Sequence, residues 1–121
     1  DIESLHFAFS HTVGPFPSEP SLQEVELRKT LINEETKETL EALSAGNLVD
    51  LADGIADCIV VLLGTAVAYG IDMRPVWNLI HDSNMAKIGG GKREDGKFLK
   101  PKGWTPPDIR GELIRQGWKG E

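Results

Sequence analysis

Cysteine occurs once in the 121 residues, as Cys58, and tyrosine once, as Tyr69. A single thiol excludes an intramolecular disulfide framework, so packing must hold the fold, and a reducing compartment suits the chain. Basic side chains are also scarce. Thirteen Lys and Arg against 19 Asp and Glu leave a net charge of −6, the wrong sign for a surface that coats a nucleic-acid backbone. Long apolar runs are missing too. The longest, CIVVLLGTAVAYGI at 58–71, has 14 residues and follows Asp53 and Asp57, which falls short of the ~18–20 needed to span a bilayer. It reads as a buried core helix. The stretch DIESLHFAFSH has neither the basic segment nor the apolar segment of a secretory signal. These absences predict a soluble, cytoplasmic protein with no membrane and no nucleic-acid partner. A length of 121 residues fits one domain over 1–121.

What is present is helical periodicity. Ile2, Leu5, Phe7 and Phe9 give residues 1–11 a weakly amphipathic pattern, enough for a short first helix. Three prolines and a glycine in 13–21 make a loop. Ser21 and Glu24 have the capping-box spacing and open a helix that Ser44-Ala45-Gly46-Asn47 closes. A second long helix is predicted from about Leu48 to Tyr69, with Gly70 as its stop. Asp72 caps a third, with Pro75 in its first turn, running to about Lys87. Residues 89–108 are rich in Gly, Lys and Pro, show no periodicity and form a long loop; a last short helix covers 109–116. No repeat or strand alternation stands out. The fold class is all-α, a bundle of about four helices. Ile59, Val60, Val61, Leu62, Leu63 and Val67 surround the second long helix completely, more apolar surface than one small chain can cover, so a homodimer or tetramer is predicted. Full burial within a monomer is the alternative.

The charge is divided unevenly. Residues 1–84 carry 4 basic and 14 acidic side chains, whereas 85–104 carry Lys87, Lys92, Arg93, Lys97, Lys100 and Lys102 against Glu94 and Asp95. Two acidic clusters lie on consecutive helices, Glu34-Glu35-x-x-Glu38 and Asp50, Asp53, Asp57. Residues three or four apart share a helix face. Glu38 lies eight residues before Gly46 and Asp53 seven beyond it, so the clusters meet at one level of a helical hairpin. Carboxylates aimed at one another are tolerable when protonated or bridged by a cation, and an oxygen-only donor set favours Mg²⁺, or Mn²⁺, over zinc. A solvated acidic face is the plain alternative, and Glu41, with Lys37 as an i,i+4 partner, belongs to it. Neither a di-iron Glu-x-x-His pair nor an EF-hand spacing fits. Asn84 and Lys87 share a face, and the cations of the Gly-rich loop suit polyphosphate oxygens. Trp104, in that loop, is a candidate for stacking on a base, whereas His6, His11 and His81 receive no role.

Glu34-Glu35-x-x-Glu38, then Asp53-Gly54-Ile55-Ala56-Asp57 opening a long apolar helix, then His81-x-x-Asn84-x-x-Lys87, resembles the MazG-like all-α nucleoside triphosphate pyrophosphohydrolases, a superfamily that includes dimeric dUTPases and phosphoribosyl-ATP pyrophosphohydrolases. The tail DGKFLKPKGWTPPDI at 95–109 is similar to the phosphoribosyl-ATP pyrophosphohydrolase-like branch. The resemblance implies a helical dimer or tetramer, Mg²⁺ held by Glu-x-x-Glu plus a second acidic pair, and cleavage of a nucleoside triphosphate to the monophosphate and pyrophosphate. On this chain it makes Glu35, Glu38, Asp53 and Asp57 the metal ligands and Glu34 or Glu35 the group that activates water. Asn84, Lys87, Lys92, Arg93, Lys97, Lys100 and Trp104 become substrate contacts. The second pair of the family is Glu-x-x-Asp, and its Glu position falls on Gly54 here, with Asp53 one residue earlier as the substitute. Phosphoribosyl-ATP hydrolysis and a non-catalytic cation-binding helical dimer are the competing readings.

Overall fold

In a computed structural model of the chain, residues 1–8 and 11–120 are described. Phe9 and Ser10 of the expected first helix, and Glu121, lie outside them. Five helices and no strand are found among the described residues: α1 (Ile2–Ala8), α2 (Leu22–Ala45), α3 (Leu48–Ala68), α4 (Met73–Met85) and α5 (Ile109–Arg115). The fold class is all-α. The chain divides into two compact units, Asp1–Ile71 and Asp72–Glu121.

The first unit is the α2–α3 hairpin with α1 laid against α3. Ser21 caps α2 through Oγ, which accepts from the backbone N–H of Glu24 at 3.1 Å. The returning arm of the capping box is not made. The Glu24 carboxylate pairs instead with Arg28 one turn on, Oε1 to Nε at 3.4 Å, and both side chains are buried. Gly46 ends α2 in the left-handed region at φ 66°, returning its N–H to Ala42 and Leu43 carbonyls, and Asn47 immediately caps α3. A two-residue link of this kind forces the two helices into a hairpin. The proline-rich segment then crosses the C-terminal end of α3: Gly14 donates to Val67 O at 2.9 Å and Ser18 to Tyr69 O at 3.0 Å. A side chain at Gly14 would fall 2.6 Å from the Gly70 backbone nitrogen, so glycine is required where the strands of chain touch.

Few apolar side chains in this unit are buried. On α3 the buried positions are Gly54, Gly64, Ala66 and Ala68, all small, while Ile59 and Leu62 remain 52% and 53% exposed. On α2 the buried positions are Glu24, Arg28 and Ala42, while Leu22, Leu40 and Leu43 face outward. The alternative of full burial of α3 within a monomer therefore fails, and its apolar side chains stay uncovered in one chain, as the sequence led us to expect. Its 21 residues, at mean hydropathy 1.9, have the length and apolarity to cross a membrane, although Asp50, Asp53 and Asp57 occupy its first half.

In the second unit α4 packs on α5. Asp72 caps α4, its Oδ1 accepting from Arg74 N–H at 3.1 Å. The Gln116 amide clasps the same residue, accepting from Asp72 N–H at 2.8 Å and donating to Asp72 O at 2.9 Å, which ties the end of α5 to the start of α4. α4 stops at Met85, so Lys87 sits in the turn after the helix rather than on it. The loop that follows contains one isolated antiparallel bridge, Lys92 with Phe98.

Candidate functional site

The hairpin turn brings the acidic residues of α2 and α3 together. Glu35 lies at the focus. Its Oε2 is shielded from solvent and has no hydrogen-bond partner. Its carboxyl is held above the ordinary glutamate range, first by desolvation and then by the charges of Glu38, Asp57, Glu34 and Asp53. Four further carboxylates from two helices thus act on one, as the sequence pattern predicted. They do not close into a ligand set: among the described residues no three acidic, imidazole or thiol groups stand close enough to hold a metal ion.

The packing beneath the site explains its shape. Thr39, one turn after Glu35, donates from Oγ1 to Glu35 O at 2.8 Å and lies 3.2 Å from Cys58 Sγ across the hairpin. Opposite it, Gly54 is buried, and a Cβ there would lie 2.6 Å from Thr39 Oγ1 and 3.3 Å from Thr39 Cα. The two helices approach at Thr39 and Gly54 so closely that any side chain at 54 requires Thr39 to move. The acid that the family pattern places at that position would meet the same obstacle. Nothing in the sequence marks Thr39, whose partner is fixed only by the crossing.

Asp50 and Asp53 are the two residues near the vacant family position, and the structure separates them. Asp50 is engaged in the α3 cap, its Oδ2 accepting from Asn47 Nδ2 at 2.8 Å and its N–H donating to Asn47 Oδ1 at 3.1 Å. Asp53 contributes to the field at Glu35, and Asp50 does not figure there. Glu38, Glu41, Asp50, Asp53, Asn47 and Gly54 line a cavity of about 420 Å³ beside the turn. A larger depression, about 690 Å³, runs along Asn33, Thr36, Lys37, Leu40, Glu41 and Ser44 on one stripe of α2 and gathers no converging groups. Glu41 is exposed, and no ion pair joins it to Lys37 among the described residues.

The described half of the His6 environment was not legible from the sequence. His6 is 4% exposed, its Nδ1 bonded to Thr12 O at 2.9 Å, with its ring edge against His11. Gly64 makes room for it: a Cβ there would lie 2.7 Å from both His6 Nε2 and Arg28 Nη1. This buried group lies away from the carboxylates and belongs to the packing of α1 on the hairpin.

A family comparison matches residues 2–84 to the phosphoribosyl-ATP pyrophosphohydrolase family model, 83 of the 121 residues. The chain belongs to the phosphoribosyl-ATP pyrophosphohydrolase family. That family is part of the MazG-like nucleoside triphosphate pyrophosphohydrolase superfamily. No curated protein matches the sequence significantly. The matched stretch contains both acidic clusters and ends at Asn84, so the basic loop lies beyond it.

That loop sorts its cations by partner. Arg93 is bound to Asp95, Nη2 to Oδ2 at 2.6 Å and Nε to Oδ1 at 3.2 Å, and the guanidinium holds the Asp95 carboxyl below its usual range. In the free chain its charge is met by Asp95 at the surface. The ammonium of Lys92 rests 5.0 Å from the Phe98 ring centroid. Lys97 is exposed, its backbone N–H held by Asp95 at 3.1 Å. Lys87 donates to Asn84 Oδ1 at 3.2 Å. Trp104 is half-buried and donates from Nε1 to Ser83 O at 3.2 Å, which anchors it to α4.

Proposed function

We propose that the protein hydrolyses the α–β phosphoanhydride of a nucleoside triphosphate, releasing the monophosphate and pyrophosphate, with a divalent cation, Mg²⁺ or Mn²⁺. The observation that carries this is the shielded, unpartnered Oε2 of Glu35, on a carboxyl that burial and the charges of Glu38, Asp57, Glu34 and Asp53 hold above the ordinary glutamate range. A carboxylate whose ionised form is disfavoured by burial and by four like charges fits a cation, whose charge offsets that repulsion and gives the ionised form a partner. Glu35, Glu38, Asp53 and Asp57 would hold it. When bound, such a cation neutralises charge on the phosphate oxygens and makes a water more acidic.

The side chains do the rest. Glu34, exposed on the same turn, or Glu35 through an unligated oxygen, accepts the proton of the attacking water as its oxygen bonds to phosphorus. The bond to the bridging oxygen breaks and pyrophosphate leaves; the second unit offers Asn84, Lys87 and the loop cations, Lys100 foremost, as candidate phosphate contacts. Family membership gives phosphoribosyl-ATP equal standing as the substrate, since the same bond of a nucleoside triphosphate is cut. The exposed apolar faces of α2 and α3 support a homo-oligomer, dimer or tetramer, working in the cytoplasm.

A panel of nucleotides that includes phosphoribosyl-ATP, assayed with Mg²⁺ for pyrophosphate release, tests the reaction and identifies the substrate. Glu38→Ala and Asp57→Ala are each expected to lower kcat/KM by at least about 100-fold. Wild-type activity in both would overturn the assignment.

A further inference from the structure

Two ammonium groups of the second unit lie on one ring. Lys87 Nζ is 5.1 Å and Lys100 Nζ 4.8 Å from the centroid of Trp104. Like charges repel, and water screens them only in part. The negative face of an indole attracts each cation but gives neither a counter-charge. Among the described residues neither lysine is in an ion pair. Lys87 has only the neutral Asn84 amide as a further partner. The neighbouring Arg93, by contrast, is neutralised by Asp95.

The backbone holds this arrangement in place. Pro101 to Trp104 is a tight turn closed by Trp104 N–H to Pro101 O at 3.1 Å, with Gly103 at φ 84° in the third position, where an L side chain is disfavoured. Leu99 donates to Gly91 O at 2.8 Å, and Gly90 packs so closely on Leu99 and Pro101 that a Cβ would lie 2.9 Å from Pro101 N. Lys100 is thus presented between two anchored residues. The indole is fixed at its other edge by Ser83 O on α4. Trp104 also lines a cavity of about 520 Å³ together with Asp82, Ser83 and Lys102.

We propose that Trp104 is a positioning residue whose ring holds Lys87 and Lys100 as one paired ammonium site for a diphosphate group. It takes pyrophosphate or the diphosphate end of a nucleotide. The identity of the ligand rests on the hydrolysis proposed above; the pairing rests on the geometry of the second unit. The ring is the shared support, so its loss frees both cations at once, and a multivalent anion supplies the counter-charge that the ring does not.

Calorimetric titration of inorganic pyrophosphate into the full-length chain tests the pairing. Trp104→Leu is expected to weaken binding about tenfold, the loss of cation–π support from two lysines, and Trp104→Phe, which keeps an aromatic face, to stay within about threefold of wild type. On the nucleotide that is turned over, the same variants should raise KM in that order with a smaller change in kcat. Wild-type binding by Trp104→Leu overturns the proposal. So does equal weakening in Trp104→Leu and Trp104→Phe, which would make the residue a space-filler. If circular dichroism shows Trp104→Leu unfolded, Lys87→Met and Lys100→Met decide. Each must weaken pyrophosphate binding, and the double variant by less than the product of the two. Trp104-dependent pyrophosphate binding without nucleotide turnover would keep this site and refute the hydrolase. Turnover with pyrophosphate binding indifferent to Trp104 would do the reverse.

Discussion

Glu35 shows how a single side chain can be costly to the empty protein and useful to the working one. Its carboxyl is held above the ordinary glutamate range, so ionising it is harder in the folded chain than in the unfolded one. Linkage gives the sign. Its contribution to stability is present below the usual glutamate pKa and is lost as pH rises through the folded value. At neutral pH the metal-free chain carries that unrelieved repulsion. Glu35→Gln is therefore expected to raise the metal-free Tm by about 3 °C at pH 7, to have little effect near pH 4, and to abolish most of the stabilisation by Mg²⁺. Calorimetric scans with chelator and with excess Mg²⁺ check all three; a lower metal-free Tm at pH 7 would contradict the repulsion. The basic residues divide in the same way. Lys100→Ala should raise KM about tenfold, as an uncompensated charge against phosphate, whereas Arg93→Ala, already paired with Asp95 on the surface, should change it less than about threefold. A run of lysines and arginines in a sequence cannot show which are already neutralised, because that depends on turns such as the one at 93–97.

At the scale of the helices, the α2–α3 crossing at Thr39 and Gly54 sets the spacing of the acidic faces. Gly54→Ala would force Thr39, and with it the Glu35 turn it supports, to move. The expected cost is about 1–3 kcal/mol. Urea titration should show a lower midpoint with an unchanged m-value. The larger Gly54→Glu, which would supply the family's acid, is expected to cost more and not to add a ligand. Helix ends were legible in the sequence: Ser21, Gly46, Asp72 and Gly70 act where their types and positions indicate, because capping is settled within one turn of backbone. The second arm of the capping box was not, since Glu24 has a competing partner in Arg28 that the burial of both side chains strengthens. The end of α4 was also overextended, at Met85 rather than Lys87.

For the whole molecule, the distribution of apolar surface is the leading fact. Ile55, Ile59, Leu62 and Leu63 on α3, with Leu40 and Leu43 on α2, stay between 37% and 57% exposed, while Glu24, Arg28 and His6 are buried. Burying such side chains is worth about 1.5–3 kcal/mol each, so a second copy meeting these faces would gain far more than an exposed surface allows. Sedimentation equilibrium is expected to give a dimer or tetramer whose Tm rises with protein concentration. Leu62→Glu should shift the equilibrium to monomer and lower the Tm. A monomer at tens of micromolar, with concentration-independent melting, would leave the apolar faces to another partner.

The sequence by itself determined the helical class, the positions of the helices and caps, and the meeting of two acidic clusters across the hairpin. Each follows from periodicity, turn chemistry and i,i+3 or i,i+4 spacing, which act over a few residues. Tertiary structure alone decided that the charge of Asp53 acts on Glu35 across the hairpin. It also decided that a side chain at 54 would meet Thr39, and that Lys87 and Lys100 share the Trp104 ring. Those outcomes depend on which side chains packing brings within a few ångströms. A charge pattern read along the chain shows the supply of charge, and the folded partners determine which charges remain uncompensated for a ligand.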